Sequence, residues 1–167
     1  MAADDLLLRQ APHSPQAEQA VLGSMLIDPD CIKDVMDKLQ PEDFYLRANR
    51  DIFETIYHMF IYSRPIDGVT VAGEMERNGV YNDNTRDYLV QLMDVTPTSA
   101  NVMEYVKIVL DKSLMRQVAA AAGSITAMVQ EGNGDAGDML ESAEQKVYAI
   151  RRGRSAQNMV TVSMVLQ

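Results

Sequence analysis

The chain has 167 residues, of which 47% are hydrophobic, and its 24 acidic and 15 basic side chains leave a formal net charge of −9. That length suffices for one packed core with an appendage, whereas the acidic balance argues against a stand-alone nucleic-acid binder, whose phosphate contacts need clustered Lys and Arg. No window approaches the roughly 18 uncharged apolar residues of a membrane span. Asp4 and Asp5 ahead of only Leu6, Leu7 and Leu8 do not make a secretory signal, and the single Cys31 cannot form an internal disulfide, so a cytoplasmic protein without membrane contact is expected.

Residues 1–13 read as a flexible N-terminus, and the first helix opens at the stretch PHSPQAEQAVLGSML, residues 12–26. Ser14 suits the cap, Pro15 the first helical position, and Glu18 the positive end of the helix dipole. Ala17, Ala20, Val21, Ser24 and Met25 share one face, and Gly23 permits a close neighbour. Asp28-Pro29 breaks this helix, and Ile32, Val35, Met36 and Leu39 mark a second short one that ends before Pro41. A third carries Ile52, Phe53, Ile56, Met59 and Phe60, with Asn49 as its cap and Arg64-Pro65 as its stop. Thr70 is expected to cap a fourth, with Glu74 and Glu76 on its wet side and Asn78-Gly79 closing it. The polar NDNTRD is a loop before a fifth helix bearing Tyr88, Leu89, Leu92 and Met93.

After TPTSAN the composition changes. Asn101 and Glu104 form a capping-box variant, and the pattern then runs to Glu131 without a proline, predicting one long helix. GNGD breaks it and Asp135 caps a second long helix, in which Leu140, Ala143, Val147 and Ile150 have the spacing of a coiled-coil seam. Arg151 and Arg152 suit its negative end, and Gly153 is expected to stop it. Strand alternation is nowhere sustained. The fold class is therefore all-α: a small helical head of about five or six helices over residues 14–98, a long antiparallel helical hairpin over 99–153, and a linker over 154–167.

Motifs for chemistry are missing. No G-x-x-x-x-G-K-[ST] phosphate loop is present, His13 and His58 lie far apart, and Cys31 has no partner at metal-ligand spacing, so no catalytic, cofactor or metal residues are assigned. Gly132, Gly134 and Gly137 spell G-x-G-x-x-G, but a helix precedes them and Asp135 and Asp138 would repel a pyrophosphate, so they read as a turn. The carboxylates of MERNGVYNDNTRD lack the residue order of a calcium loop. Function is then expected in surfaces. The apolar breadth of Val106, Val109, Leu114, Val118, Ile125 and Val129 favours a partner helix, and Ala119 and Ala122 allow its close approach.

PHSPQAEQAVLGSML, PEDFYLRANRDIFETI, RPIDGVTVAGEMERNG and TPTSANVMEYVKIVLDKSLMRQ together resemble, in order and spacing, the N-terminal domain of the bacterial replicative DNA helicase, the DnaB family, over residues 12–152. The resemblance implies a non-catalytic collar. It would pair with itself through the hairpin, with Val118, Ala119, Ala122, Ile125, Val129, Leu140 and Val147 as the self-association residues, and build a hexameric ring as a trimer of dimers. It would also recruit primase and be acted on by a helicase loader; Tyr88 and Ile125 are expected as docking residues, Tyr88 for its apolar body and polar tip and not from the resemblance, which transfers no single docking residue. Single-stranded DNA, ATP and Mg²⁺ would be engaged only by the full-length ring and its motor domain, toward which 154–167 would lead. An autonomous helical adaptor or helicase-loading factor sharing this domain is the alternative. Two departures stand out: NDNTRDYL replaces a common Gly-Gly before the tyrosine, and Gly73 replaces a common helix-forming Glu, which weakens its helix by roughly 0.5–1 kcal/mol relative to Ala.

Overall fold

The computed structural model describes residues 10–165, with side chains described as far as residue 153; the expected flexibility of 1–13 falls largely outside these residues. Among the described residues the regular elements are all helical. The chain divides into a unit spanning Ser14–Asp111 and a second made of the residues on either side of it, up to His13 and from Lys112 onward.

Helix α1, Pro15–Ile27, starts as its sequence dictates, with the Ser14 hydroxyl accepting from the Ala17 N–H at 3.2 Å. Burial goes beyond one face. Ala17, Glu18, Val21, Leu22, Gly23, Ser24, Met25 and Leu26 are all buried, which makes α1 the central helix of this unit. A 3₁₀ turn at Pro29–Cys31 leads into α2, Ile32–Met36, and a second at Pro41–Asp43 leads toward α3, Arg47–Ile61. Ile52, Phe53, Ile56 and Met59 of α3 enter the core, with Phe53 stacked against Phe44 at 4.7 Å, whereas Phe60 lies at the exposed edge. Asn49 does not cap α3. The cap position is Leu46, and Asn49 sits inside the first turns, fully buried.

Helix α4, Gly68–Arg77, is capped one turn earlier than expected. The Asp67 carboxylate accepts from the N–H groups of Val69 and Thr70 at 2.9 and 2.8 Å, and Thr70 answers by accepting from the Asp67 N–H at 2.9 Å. Thr70 is thus the third residue of a capping box, because a carboxylate is at least as good a cap as a hydroxyl and lies where the chain is still extended. The Thr70 N–H foremost holds the Asp67 carboxyl below its ordinary pKa. Asn78 and Gly79, the latter at φ +72°, close the helix, and Glu74 bridges Arg64 and Arg77. Helix α5, Thr85–Asp94, buries Leu89 and Leu92.

Helix α6, Val102–Glu131, contributes Val102, Val106 and Val109 to the first unit's core, which is why that unit runs to Asp111 and not to residue 98. After Glu131, Gly132 and Gly134 adopt φ values of +67° and +109°, and the Asp135 carboxylate accepts from the Asp138 N–H at 2.8 Å to start α7, Ala136–Val165. Gly153 does not stop α7. A single glycine costs only about 1 kcal/mol relative to Ala, and no proline follows it, so the segment expected to be a linker is helical to Val165.

Two glycines make opposite tests of this packing. A Cβ at Gly23 would overlap the Thr96 hydroxyl and the Leu92 carbonyl, one of them unmovable backbone, whereas a Cβ at Gly73 meets nothing within 4 Å. Gly23→Ala should destabilise the protein by about 3 kcal/mol or more, and Gly73→Ala should stabilise it by roughly 0.5–1 kcal/mol. Urea denaturation of the two variants checks both signs.

Candidate functional site

Glu18 is the least expected residue of the head. Only 1% of it is exposed, and a buried carboxylate is tolerated only when hydrogen-bonded. Its oxygens accept from the Tyr45 N–H at 2.7 Å, the Leu46 N–H at 3.4 Å and the Asn49 side-chain amide at 2.7 Å. These donors surround the start of α3, whose cap residue Leu46 has no side chain that could serve. Glu18 therefore supplies from α1 the negative charge that the positive end of α3 favours. The Tyr88 hydroxyl of α5 then donates to the Asn49 amide oxygen, which completes a chain from Tyr88 through Asn49 to Glu18. Burial foremost pushes the Tyr88 hydroxyl pKa up.

Tyr88, expected as a docking residue, is accordingly half-buried, with its polar tip already engaged inside the head. Tyr57 is likewise partly buried, its ring 6.4 Å from that of Phe53. A cavity of about 380 Å³ beside α3 is lined by Asp51, Glu54 and His58 among others, and the Arg64–Glu74 pair sits on its wall. No group of three or more His, Cys, Asp or Glu among the described residues could hold a metal ion. Cys31 is buried, and desolvation, seconded by the Asp28 carboxylate, raises its thiol to about 11.

The second unit presents a different surface. On α6 the half-buried apolar positions in this unit are Leu114, Ala121, Ile125 and Met128, with Lys112 and Arg116 half-buried as well, and on α7 the half-buried positions are Met139, Ser142, Ala143, Lys146 and Ile150. Such spacings of three, four and seven mark the inner row of a helix pair. Of the seam expected on α7, Ala143 and Ile150 belong to this row, while Leu140 and Val147 are 63% and 54% exposed. At 100° per residue they are displaced by roughly a quarter turn from that row. On α6, Val118 and Val129 are 54% and 57% exposed, and Ala119 and Ala122 are exposed as well. Among the expected self-association residues only Ile125 is sheltered. The others form an apolar flank that the monomer leaves open, and Tyr148, which the seam pattern did not single out, extends it at 65% exposure. Tyr88 and Ile125, expected to share a docking role, belong to different compact units.

The class these features define is an all-helical domain with a six-helix unit and a helix pair whose apolar flank is exposed, a class that comparison with known proteins narrows. The model of the DnaB-like helicase N terminal domain matches residues 10–111. The chain belongs to that family. Replicative DNA helicase DnaB of Mycobacterium leprae is 34% identical over 95% of this chain, and that of Pasteurella multocida is 32% identical over 88%. The chain spans 27% and 32% of the length of those two relatives. The crystal structure of the N-terminal domain of DnaB helicase from Mycobacterium tuberculosis superposes with a TM-score of 0.78 at 34% identity, covering 83% of this chain and 99% of that one. The N-terminal domain of DnaB helicase from Helicobacter pylori, described with its interactions with primase, shares the fold at a TM-score of 0.60 and 24% identity, over 68% of this chain and 89% of that one.

Two outcomes follow from this geometry. Tyr88→Phe leaves the buried Asn49 oxygen without its donor and should cost about 1–3 kcal/mol in thermal or urea unfolding. Cys31 should resist iodoacetamide in the native protein at pH 8 and react promptly in denaturant, because its thiolate forms only near pH 11 in the fold.

Proposed function

We propose that this chain is the collar domain of a replicative DNA helicase, a non-catalytic module that joins subunits into a ring and recruits primase during DNA replication. The family match over residues 10–111, with a structural superposition that covers 99% of the Mycobacterium tuberculosis N-terminal domain, carries this reading. ATP hydrolysis and DNA unwinding then belong to the rest of a longer helicase, because no phosphate-loop motif occurs in these 167 residues. Self-association uses the open apolar flank of the second unit, Val118, Ala119, Ala122, Val129, Leu140 and Val147, with Ile125 at its edge, as a dimer that becomes a trimer of dimers in the ring. The primase interactions described for the Helicobacter pylori domain support primase as the partner. Tyr88 and Ile125 are the docking residues to test, and a helicase loader is a further partner of the assembled ring.

Val118→Asp separates assembly from folding, since Val118 is 54% exposed and an aspartate there is solvated in the monomer. In the pair it would bury an unpaired charge. Light scattering should show the mass fall to that of a monomer with helicity unchanged by circular dichroism; an unchanged mass would remove this flank from the interface. For recruitment, Tyr88→Ala should weaken binding of a primase C-terminal domain by at least about 1 kcal/mol beyond what its loss of melting temperature predicts. A loss that merely tracks unfolding would assign Tyr88 to the fold alone.

A further inference from the structure

Asparagine is followed by glycine at Asn78-Gly79 and at Asn133-Gly134. In this pairing the backbone nitrogen of the glycine can attack the asparagine side-chain amide, because glycine leaves that nitrogen unshielded and lets the chain bend into the five-membered ring that results. The two dipeptides are identical in sequence, but the fold separates them.

Asn78 ends α4 at ψ 0°, so its own nitrogen eclipses that of Gly79 and its Cβ is turned aside from the atom that would have to attack. The Gly79 N–H also donates to the Glu76 carbonyl at 3.2 Å, and the Val80 N–H donates to the Met75 carbonyl at 3.0 Å, which fixes this helix end. Asn133 lies in the turn between α6 and α7, where every residue from Glu131 to Asp138 is exposed. Among the described residues, neither its side-chain amide nor the Gly134 N–H has a hydrogen-bond partner. The glycines on either side, at φ +67° and +109°, place no Cβ in the way of ring closure. An exposed tip of small and polar residues is also where a local rearrangement costs least.

We infer that Asn133 is a self-modification site, at which the protein converts its own asparagine to aspartyl and isoaspartyl residues with water as the only co-reactant. The deprotonated Gly134 nitrogen attacks Asn133 Cγ, the new N–Cγ bond closes a succinimide, and the bond from Cγ to the side-chain nitrogen breaks, with ammonia carrying away the proton. Water then opens the ring at one of its two carbonyls. Opening at Cγ leaves aspartate, and opening at the main-chain carbonyl carbon leaves isoaspartate, whose backbone runs through the former side chain and is longer by one methylene. Either product adds one negative charge to a tip that already exposes Glu131, Asp135 and Asp138. The change falls beside the cap of α7, where the Asp135 carboxylate accepts from the Asp138 N–H.

Trypsin separates the two sites, because cleavage after Arg116 and Lys146 releases Asn133 in one peptide and cleavage after Arg77 and Arg86 releases Asn78 in another. The full 167-residue chain is aged in mildly alkaline buffer and the peptides are followed by mass spectrometry, with electron-transfer fragmentation to tell aspartyl from isoaspartyl. Asn133 should convert about tenfold faster than Asn78 or more in the native protein, a difference in activation free energy of about 1.4 kcal/mol. In denaturant the two rates should converge, since the protection of Asn78 belongs to the fold. Asn133→Gln should abolish the fast conversion, because its ring would need six members, and Gly134→Ala should slow it by shielding the attacking nitrogen, with circular dichroism confirming that both variants fold. Native rates that are equal at the two sites, a difference that persists in denaturant, or a product without the isoaspartyl form would each overturn the assignment.

Discussion

The head is organised around one buried carboxylate. Glu18 projects from α1 to the start of α3, and only because the Tyr45 and Leu46 N–H groups and the Asn49 amide converge on it is its burial tolerable. Each of those donors would also be costly if left unpaired, though less so than the charge: two are backbone N–H groups at the start of α3 that the helix cannot satisfy itself, and the third is a fully buried amide. The Tyr88 hydroxyl extends the network to α5. One side chain thereby sets the position of α1, the loop before α3, α3 itself and α5, and any displacement of one element leaves a buried polar group without a partner.

Close packing reinforces this arrangement. The missing Cβ of Gly23 lets α1 approach α5 until the Leu92 carbonyl and the Thr96 hydroxyl occupy the space a side chain would need. Buried hydroxyls in the head are satisfied locally, Ser24 by the Ala20 carbonyl, Thr55 by that of Asp51 and Thr96 by that of Leu92. No buried side-chain nitrogen or oxygen among the described residues lacks a partner. Such a core has little freedom to change shape, which suits a module that must present surfaces in fixed positions.

The outer two-thirds of α6 and the whole of α7 follow different physics. Among the residues with described side chains, as far as Gly153, they contribute none to the buried apolar cluster, and their apolar side chains are half-buried or exposed. From Gln117 to Gln130 no side chain is charged, an unusual composition for a helix whose flank faces water. A helix pair of this kind gains much of its stability from what it packs against, so the assembly surface proposed above is the exposed flank as a whole more than any single residue.

Local rules visible in the chain placed most elements: Ser14 and Asp135 cap where their chemistry allows, Gly132 and Gly134 turn where glycine is needed, and the absence of proline from 102 to 131 leaves one uninterrupted helix. The quoted blocks, read as a pattern, carried the family as well. The roles of Glu18, Asn49 and Tyr88 were not legible, because each has an ordinary local reading as a dipole partner, a cap and an interface aromatic, and their joining spans separations of 31 and 39 residues. Nor could periodicity alone choose between adjacent rows of α7, since Leu140 and Val147 fit a seam as well as Met139 and Lys146 do. What the sequence by itself determined was the identity and order of the helices, since caps, breakers and apolar spacing act within a few residues; which side chains became buried partners and which stayed open was decided only by the tertiary structure, because burial depends on neighbours that are distant in the chain.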